Sequence, residues 1–390
     1  MITIANGIVL YGEELVAKNT NILIDDGKII EISDSVKEGE IIDATGCIVC
    51  PSFLNAHTHI GDSIIADAAY GKSIEEIVKP PNGIKHLALE EASDDELKIA
   101  MKKSMGFMLQ TGTSHFIDYR EGGLDGVKLL KSIIAEDKIP INPIILGRDN
   151  SFFDEDPNIH QVKIAIRKLL KHCDGIAPSG FGEITDEVAE IIAIECRNKE
   201  KIASIHVAEY EKLQKDSIAI SGKSEVERAI NSGFNQLVHV VSPIANDLDL
   251  IAKADANIVL CPRSNAGFGN GISPLPEILG KGINPLIGTD NIMINSPNIF
   301  KELEFTLKIM RVYYKDYIAP KEILKMATSN IRYASSTINK LINKSMIKEG
   351  EEAQLFIAKN SSKDPYLSLI NRTETKDITC LINRNNIIHF

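Results

Sequence analysis

Five residues of metal-ligand type sit where short apolar runs of this chain end. They are His57 and His59 in Asn55-Ala-His-Thr-His59, His206 in Ala203-Ser-Ile-His206, His239 in Leu237-Val-His239, and Asp290 shortly after Pro285-Leu-Ile-Gly288. In an extended strand, residues two apart point to the same face, so His57 and His59 form a paired donor set. Any one of these residues alone could be a hydrogen-bonded core histidine or a turn cap. Jointly, in a chain of 390 residues with nine histidines, four imidazoles and a carboxylate make a nitrogen and oxygen set suited to Zn²⁺ or Fe²⁺.

Such residues can converge only if their strands lie side by side with the same ends together. From Ile48 onwards, apolar runs recur at Ile48 to Asn55, His115-Phe-Ile-Asp118, Ile141 to Leu146, Gly175-Ile-Ala-Pro178, Ala203 to His206, Leu237 to Val240, Asn257 to Leu260 and Pro285 to Gly288. Between several of them lie helical periodicities, such as Leu97, Met101, Met105 and Met108, then Val162, Ile166 and Leu169, then Val188 and Ile191. Strands alternating with helices predict an α/β fold, and a doubly wound sheet shares that rhythm. Ligand residues at the strand ends favour a (β/α)8 TIM-like barrel, whose active sites lie at the C-terminal mouth. The barrel is expected over 51–340. The segments 1–50 and 341–390 read as short strands, with Asn6-Gly7, Asp25-Asp26-Gly27 and Arg384-Asn385-Asn386 as turns. They are expected to pair into one small β-sandwich domain formed by both chain termini.

Composition narrows the function. The net charge of −11 and the absence of a Lys/Arg-rich run argue against nucleic acid or an anionic membrane surface as partner. The apolar runs fall short of the roughly 20 residues of a membrane-spanning helix, and Met1-Ile-Thr-Ile-Ala-Asn-Gly7 has no signal-peptide pattern. A cytoplasmic location is the expectation. Of six cysteines, only Cys47 and Cys50 form a CxxC, with no second pair to complete a structural zinc site, so buried thiols are expected.

The chain resembles the amidohydrolase superfamily, and within it the branch of cytosine, guanine and adenosyl-type deaminases and triazine chlorohydrolases. The resemblance rests on Pro51-Ser-Phe-Leu-Asn-Ala-His-Thr-His59, Ser204-Ile-His-Val-Ala-Glu209, Leu237-Val-His239, Cys261-Pro-Arg-Ser-Asn265, Gly271 to Gly282 and Gly288-Thr-Asp290. With the terminal β segments it covers essentially the whole chain. It implies one divalent metal, zinc before iron, held by His57, His59, His206 and Asp290. Dinuclear members carry a bridging Lys on strand four, whereas Gly175-Ile-Ala-Pro-Ser-Gly180 has none. The same resemblance gives His239 the task of orienting a water and the developing oxyanion. Glu209 would shuttle a proton to a ring nitrogen, and Asp290 would accept a proton from water.

The implied reaction is hydrolytic deamination of a nucleobase, nucleoside or related amino-heterocycle. The alternative is hydrolysis of a cyclic amide, an imidazolone-type ring or a C–Cl bond at the same site. Arg148, after the third run, and Asp62, after the histidine pair, are expected near the mouth. Arg148 could grip a substrate group or pair with Asp149, and Asp62 could touch substrate or orient a ligand. Arg263, Ser264 and Asn265 could line the pocket or fix their loop. The segment from Ala69 to Leu87 reads as a loop over the mouth. It lacks the Trp of the nucleoside-deaminase branch, and this chain has no Trp anywhere, which leaves room for a smaller ring. Enzymes of this branch often pair, so a homo-oligomer is expected.

Overall fold

The structure is a computed structural model and describes residues 1–68, 70–78, 82–342 and 346–390. Its centre is a curled sheet of nine parallel strand segments. In spatial order these are Leu286–Ile287, Asn257–Leu260, Gln236–His239, Ile202–Val207, Gly175–Ile176, Asn142–Gly147, Thr113–Arg120, Phe53–His59 and Asp290–Asn291. One short stretch supplies both ends of that order. Leu286 and Ile287 pair with Val259 and Leu260, while Asp290 and Asn291 pair with Thr58 and His59. Phe53–His59 and Thr113–Arg120 are buried at every position, as parallel strands covered on both faces must be.

Alternate residues go to different cores, the consequence of the two-residue strand period. Leu54, Ala56, Ile117, Ile144, Leu146, Val238 and Val259 gather with Ile331 and Ile338 in one cluster. Phe53, Phe116, Ile145, Ile205, Leu237 and Ile258 join the larger core, to which the surrounding helices contribute. Among those helices, Asp94–Gln110 starts from a capping box in which Ser93 and Glu96 satisfy each other's backbone N–H. Thr185 and Asn158 cap Asp186–Arg197 and Ile159–Leu169. Each expected helical periodicity lies inside one of these helices.

The termini form one eight-stranded sheet. Its main path runs Asn386–His389, Ile378–Asn383, Gln354–Lys359, Cys47–Pro51, Ile2–Tyr11, Val16–Asp25 and Lys28–Ser33, with Glu40–Asp43 paired beside Ile2–Tyr11. Pairing is continuous through it, so the expected sandwich is one hydrogen-bonded sheet around its own core of Ile4, Ile22, Val49, Leu355 and Ile382. Leu10, Cys50 and Phe356 of this sheet belong to the larger core, so the terminal sheet and the centre share buried contacts.

Two local expectations are corrected. Asn6-Gly7 is not a hairpin turn but a bulge inside the single strand Ile2–Tyr11, with Asn6 at φ 65°. The run Ile48 to Asn55 is split, Cys47–Pro51 serving the terminal sheet and Phe53–His59 the central one. Cys47 is half-buried, and the other five cysteines are buried thiols outside any disulfide. Among the described residues, no helix is long and apolar enough to cross a membrane.

Candidate metal centre and active site

The four expected ligands, His57, His59, His206 and Asp290, come together with His239 at one end of the central sheet. His57 Nε2 lies 3.0 Å from Asp290 Oδ1, His59 Nε2 lies 3.5 Å from the same oxygen, and His206 Nε2 lies 3.3 Å from His57 Nε2. His57, His59 and His206 form one group whose ligand atoms all lie within 4.8 Å of each other, and His57, His239 and Asp290 form another. The backbone turns sharply where these side chains leave their strands. Ala208, His239, Val240 and Asp290 have φ of 51°, 74°, 46° and 60°, a left-handed conformation costing non-glycine residues about 1–3 kcal/mol each. Gly288 lets the last segment press on His57, since a Cβ there would stand 2.6 Å from the His57 Cβ.

The outer ring nitrogens show that the set fits a cation. His206 Nδ1 lies 2.8 Å from the Ser179 carbonyl oxygen, His239 Nδ1 2.9 Å from Asn265 Oδ1, and His59 Nδ1 2.8 Å from Glu121 Oε1. A proton on each Nδ1 is therefore donated outwards, leaving an Nε2 lone pair facing the centre, the arrangement typical of metal-bound histidine. Burial lowers the pKa of all four imidazoles, that of His59 to about 3, with Lys85 adding to the effect there. Burial pushes the Asp290 carboxyl up, but His57, His239 and His59 outweigh it and hold it well below the usual carboxylate range. Neutral imidazoles around an ionised carboxylate are the protonation states a divalent cation requires.

Glu209 follows the fifth strand and reaches the same cavity. Its Oε1 accepts from Asn270 Nδ2 at 3.0 Å and stands 3.7 Å from His239 Nε2, with the side chain 14% exposed. Burial, then the charges of Asp290 and Glu183, push it up to about 8. Its backbone approach is fixed by Glu225, whose carboxylate accepts from the Ala208 N–H at 2.8 Å. The cavity has a volume of about 240 Å³ and is lined by His59, His206, Glu209, His239 and Asp290 together with Lys85, His86 and Arg148.

The remaining expectations fare differently. Arg148 reaches the cavity, but its guanidinium pairs with Glu121 at 3.2 Å and donates to Ser179 Oγ at 3.2 Å. Asp149 caps the turn at Ser151 instead of pairing with Arg148. Asp62 is fully buried and does not line the cavity, which corrects its expected contact with substrate. It accepts from Asn291 Nδ2 at 2.7 Å and the Met293 N–H at 3.0 Å, and so holds the chain just after Asp290. Ser264 donates to Asp290 Oδ2 at 2.6 Å and Arg263 pairs with Glu302, so with Asn265 they fix the site and leave the pocket wall to others. Within the segment from Ala69 to Leu87, Ile74–Val78 and Ile84–Glu91 are short helices, and Ile74, Val78, Lys85 and His86 line the cavity. Ala69 and Lys79-Pro80-Pro81 lie outside the described residues.

Sequence reasoning missed Glu121, Lys85, Tyr119 and Glu225. Tyr119 packs its ring 4.0 Å from that of His57, and its hydroxyl meets Ser204 and Gln236 inside the sheet. Glu121 directly follows Thr113–Arg120, so the strand-end rule that flagged Arg148 would have found it. No local pattern marks the other three.

A curled parallel sheet with helices, a second sheet from both termini, and a histidine–aspartate cluster at the strand ends define an α/β protein with a candidate divalent-metal centre. The family model described as the amidohydrolase family matches residues 48–388. A relative from Methanothermobacter thermautotrophicus, named "Putative aminohydrolase", is 46% identical over 389 residues, covering 100% of this chain and 99% of its own. The chain belongs to the amidohydrolase family, and it is a hydrolase acting on C–N bonds. A 5-methylthioadenosine/S-adenosylhomocysteine deaminase of Thermoanaerobacter pseudethanolicus is 28% identical, covering 82% of this chain and 76% of its own. The fold is similar to that of an adenosine deaminase from Xanthomonas campestris with bound zinc, at a TM-score of 0.81 and 16% identity over 97% of this chain and 91% of that one.

Proposed function

We propose that this protein is a mononuclear metal-dependent aminohydrolase that deaminates a small amino-substituted N-heterocycle, a nucleobase, nucleoside or relative of one. The observation that carries the reading is Glu209, a carboxyl pushed up to about 8 beside His239, in the cavity that His59, His206 and Asp290 also line. A carboxyl that keeps its proton near neutrality can give it to a ring nitrogen, which is the help that amino-heterocycle hydrolysis needs. Deaminase-named relatives and zinc-bound structural neighbours support it.

His57, His59, His206 and Asp290 would hold the metal, with zinc the better match to this donor set. Such an ion would lower the pKa of a water towards 7. The Asp290 carboxylate, anchored through Oδ2 to Ser264, offers Oδ1 as acceptor for the proton that water loses. His239, turned by Asn265, presents Nε2 to the cavity to orient the water, and with a proton taken there it steadies the developing oxyanion. Glu209 delivers its proton to the ring nitrogen and makes the adjacent C–NH2 carbon electrophilic. Water adds its oxygen there as Asp290 takes one of its protons and passes it to the amino group. The C–N bond breaks and ammonia leaves, and the proton of the added hydroxyl returns to Glu209, so the ring keeps the proton that Glu209 gave and the carbon becomes a carbonyl. Arg148, which lines the same cavity, is proposed to contact the substrate.

We read the curled sheet as a closed (β/α)8 barrel over 51–340, with 1–50 and 341–390 as the second unit. The stretch Leu286 to Asn291, pairing at both ends of the sheet, supports closure. The test is ammonia release by zinc-loaded protein over a panel of aminopurines, aminopyrimidines, their nucleosides and cyclic amides. Ammonia from at least one amino-heterocycle is expected. Turnover of a cyclic amide with none from any amino-heterocycle would overturn the assignment.

A further inference from the structure

Glu121 is a carboxylate held from four directions beneath the cavity. Its Oε1 lies 2.8 Å from His59 Nδ1, 2.6 Å from Lys85 Nζ and 3.2 Å from the Arg148 guanidinium, while Oε2 accepts from Arg120 at 3.0 Å. The Glu121 side chain is 6% exposed and that of Lys85 3%. Glu121 directly follows the second central strand and His59 ends the first, so paired neighbouring strands set their separation. Three cations around one carboxylate leave it a single position, and charge-assisted hydrogen bonds of this kind are short and directional.

The other imidazoles have weaker partners. His206 Nδ1 meets a backbone carbonyl, His239 Nδ1 meets a neutral amide, and His57 Nδ1 has no hydrogen-bond partner. Among these four, only His59 has a charged group at its outer nitrogen. A carboxylate accepting from the far nitrogen of an imidazole fixes its tautomer, stops the ring turning, and makes the near nitrogen a better donor to a cation.

We propose that Glu121 is a positioning residue for the metal centre, holding His59 with its Nε2 lone pair aimed inward. Lys85, Arg120 and Arg148 act as its anchors. The inference rests on the reading of His57, His59, His206 and Asp290 as metal ligands, and it gives the cationic residues of the cavity a task besides contact with substrate.

The test is zinc affinity, measured by competition with a chromophoric chelator on the full-length protein, with thermal melting of the metal-free protein as a check on folding. Glu121→Gln is expected to weaken zinc binding about 10–100-fold, the usual effect of losing such a partner. A merely structural role would lower the melting temperature and leave zinc affinity unmoved. Because the neutral Gln leaves three cations facing it, a second variant guards against misfolding. Glu121→Asp keeps the charge for Lys85, Arg120 and Arg148 but draws the carboxylate back from His59, and a several-fold loss of zinc affinity is expected. Wild-type affinity in either folded variant would overturn the proposal. His206→Ala separates the two levels of inference. If it too binds zinc like the wild type, the ligand assignment fails; if it loses zinc while the Glu121 variants do not, only the Glu121 proposal fails.

Discussion

Two buried groups of residues at the cavity are opposite in design. On one side, the Nε2 atoms of His57, His59 and His206 converge with Asp290, and burial beside Asp290 and Glu183 raises the Glu209 carboxyl to about 8. On the other, Lys85, Arg120 and Arg148 are matched to Glu121, with Asp118 and Asp62 close by. A buried polar group without a partner costs about 1–3 kcal/mol. Ion pairing removes that cost around Glu121, whereas the imidazoles of His206 and His239 are held by their outer nitrogens. Under the proposed function, the difference separates residues that act from residues that hold.

The largest test of that contrast is Glu209→Gln. It removes a transferable proton and leaves the ligand set untouched, so kcat is expected to fall about 10²–10⁴-fold while zinc content, read by metal analysis, stays at the wild-type level. An unchanged kcat would move Glu209 to the supporting side. Next in size is Lys85→Met, which takes the closest cation from Glu121. Metal-free protein is expected to lose about 1–3 kcal/mol in urea unfolding, and no loss would mean that the paired group is not holding anything.

The smallest effect is in the pH dependence of metal-free protein. The Glu209 carboxyl is raised from 4.5 to about 8, so its contribution to stability is full below 4.5 and fades as pH rises through 8. His59 is lowered from 6.5 to about 3, so its contribution is full above 6.5 and fades as pH falls through 3. Thermal melts across that range should therefore show wild type losing ground to Glu209→Gln on the alkaline side. A constant difference between the two would contradict the raised carboxyl.

Much of the acting group was legible from local order. His57, His59, His206, His239 and Asp290 each mark the end of an apolar run, and strands in register carry such ends to one place. The supporting group was not. Lys85 and Glu121 are 36 residues apart, Asn291 and Asp62 are 229 apart, and no periodicity reveals which buried charge will meet which. Asp62 illustrates the limit, since its nearness to His59 suggested the pocket while its burial put it behind Asn291. Asn6-Gly7 shows another, because a left-handed residue followed by glycine serves a bulge as readily as a hairpin, and only the partner strand at Thr20 to Ile22 decides.

The sequence by itself determined the alternation of strands and helices, the ligand types and the family, because these depend on residue type and short spacing. Tertiary structure alone decided which nitrogen of each histidine faces inward, what keeps Glu209 protonated, and that Arg148 is anchored to Glu121. Those outcomes depend on distances of about 3 Å between distant segments, and at that range a shift of one residue's packing changes the partner.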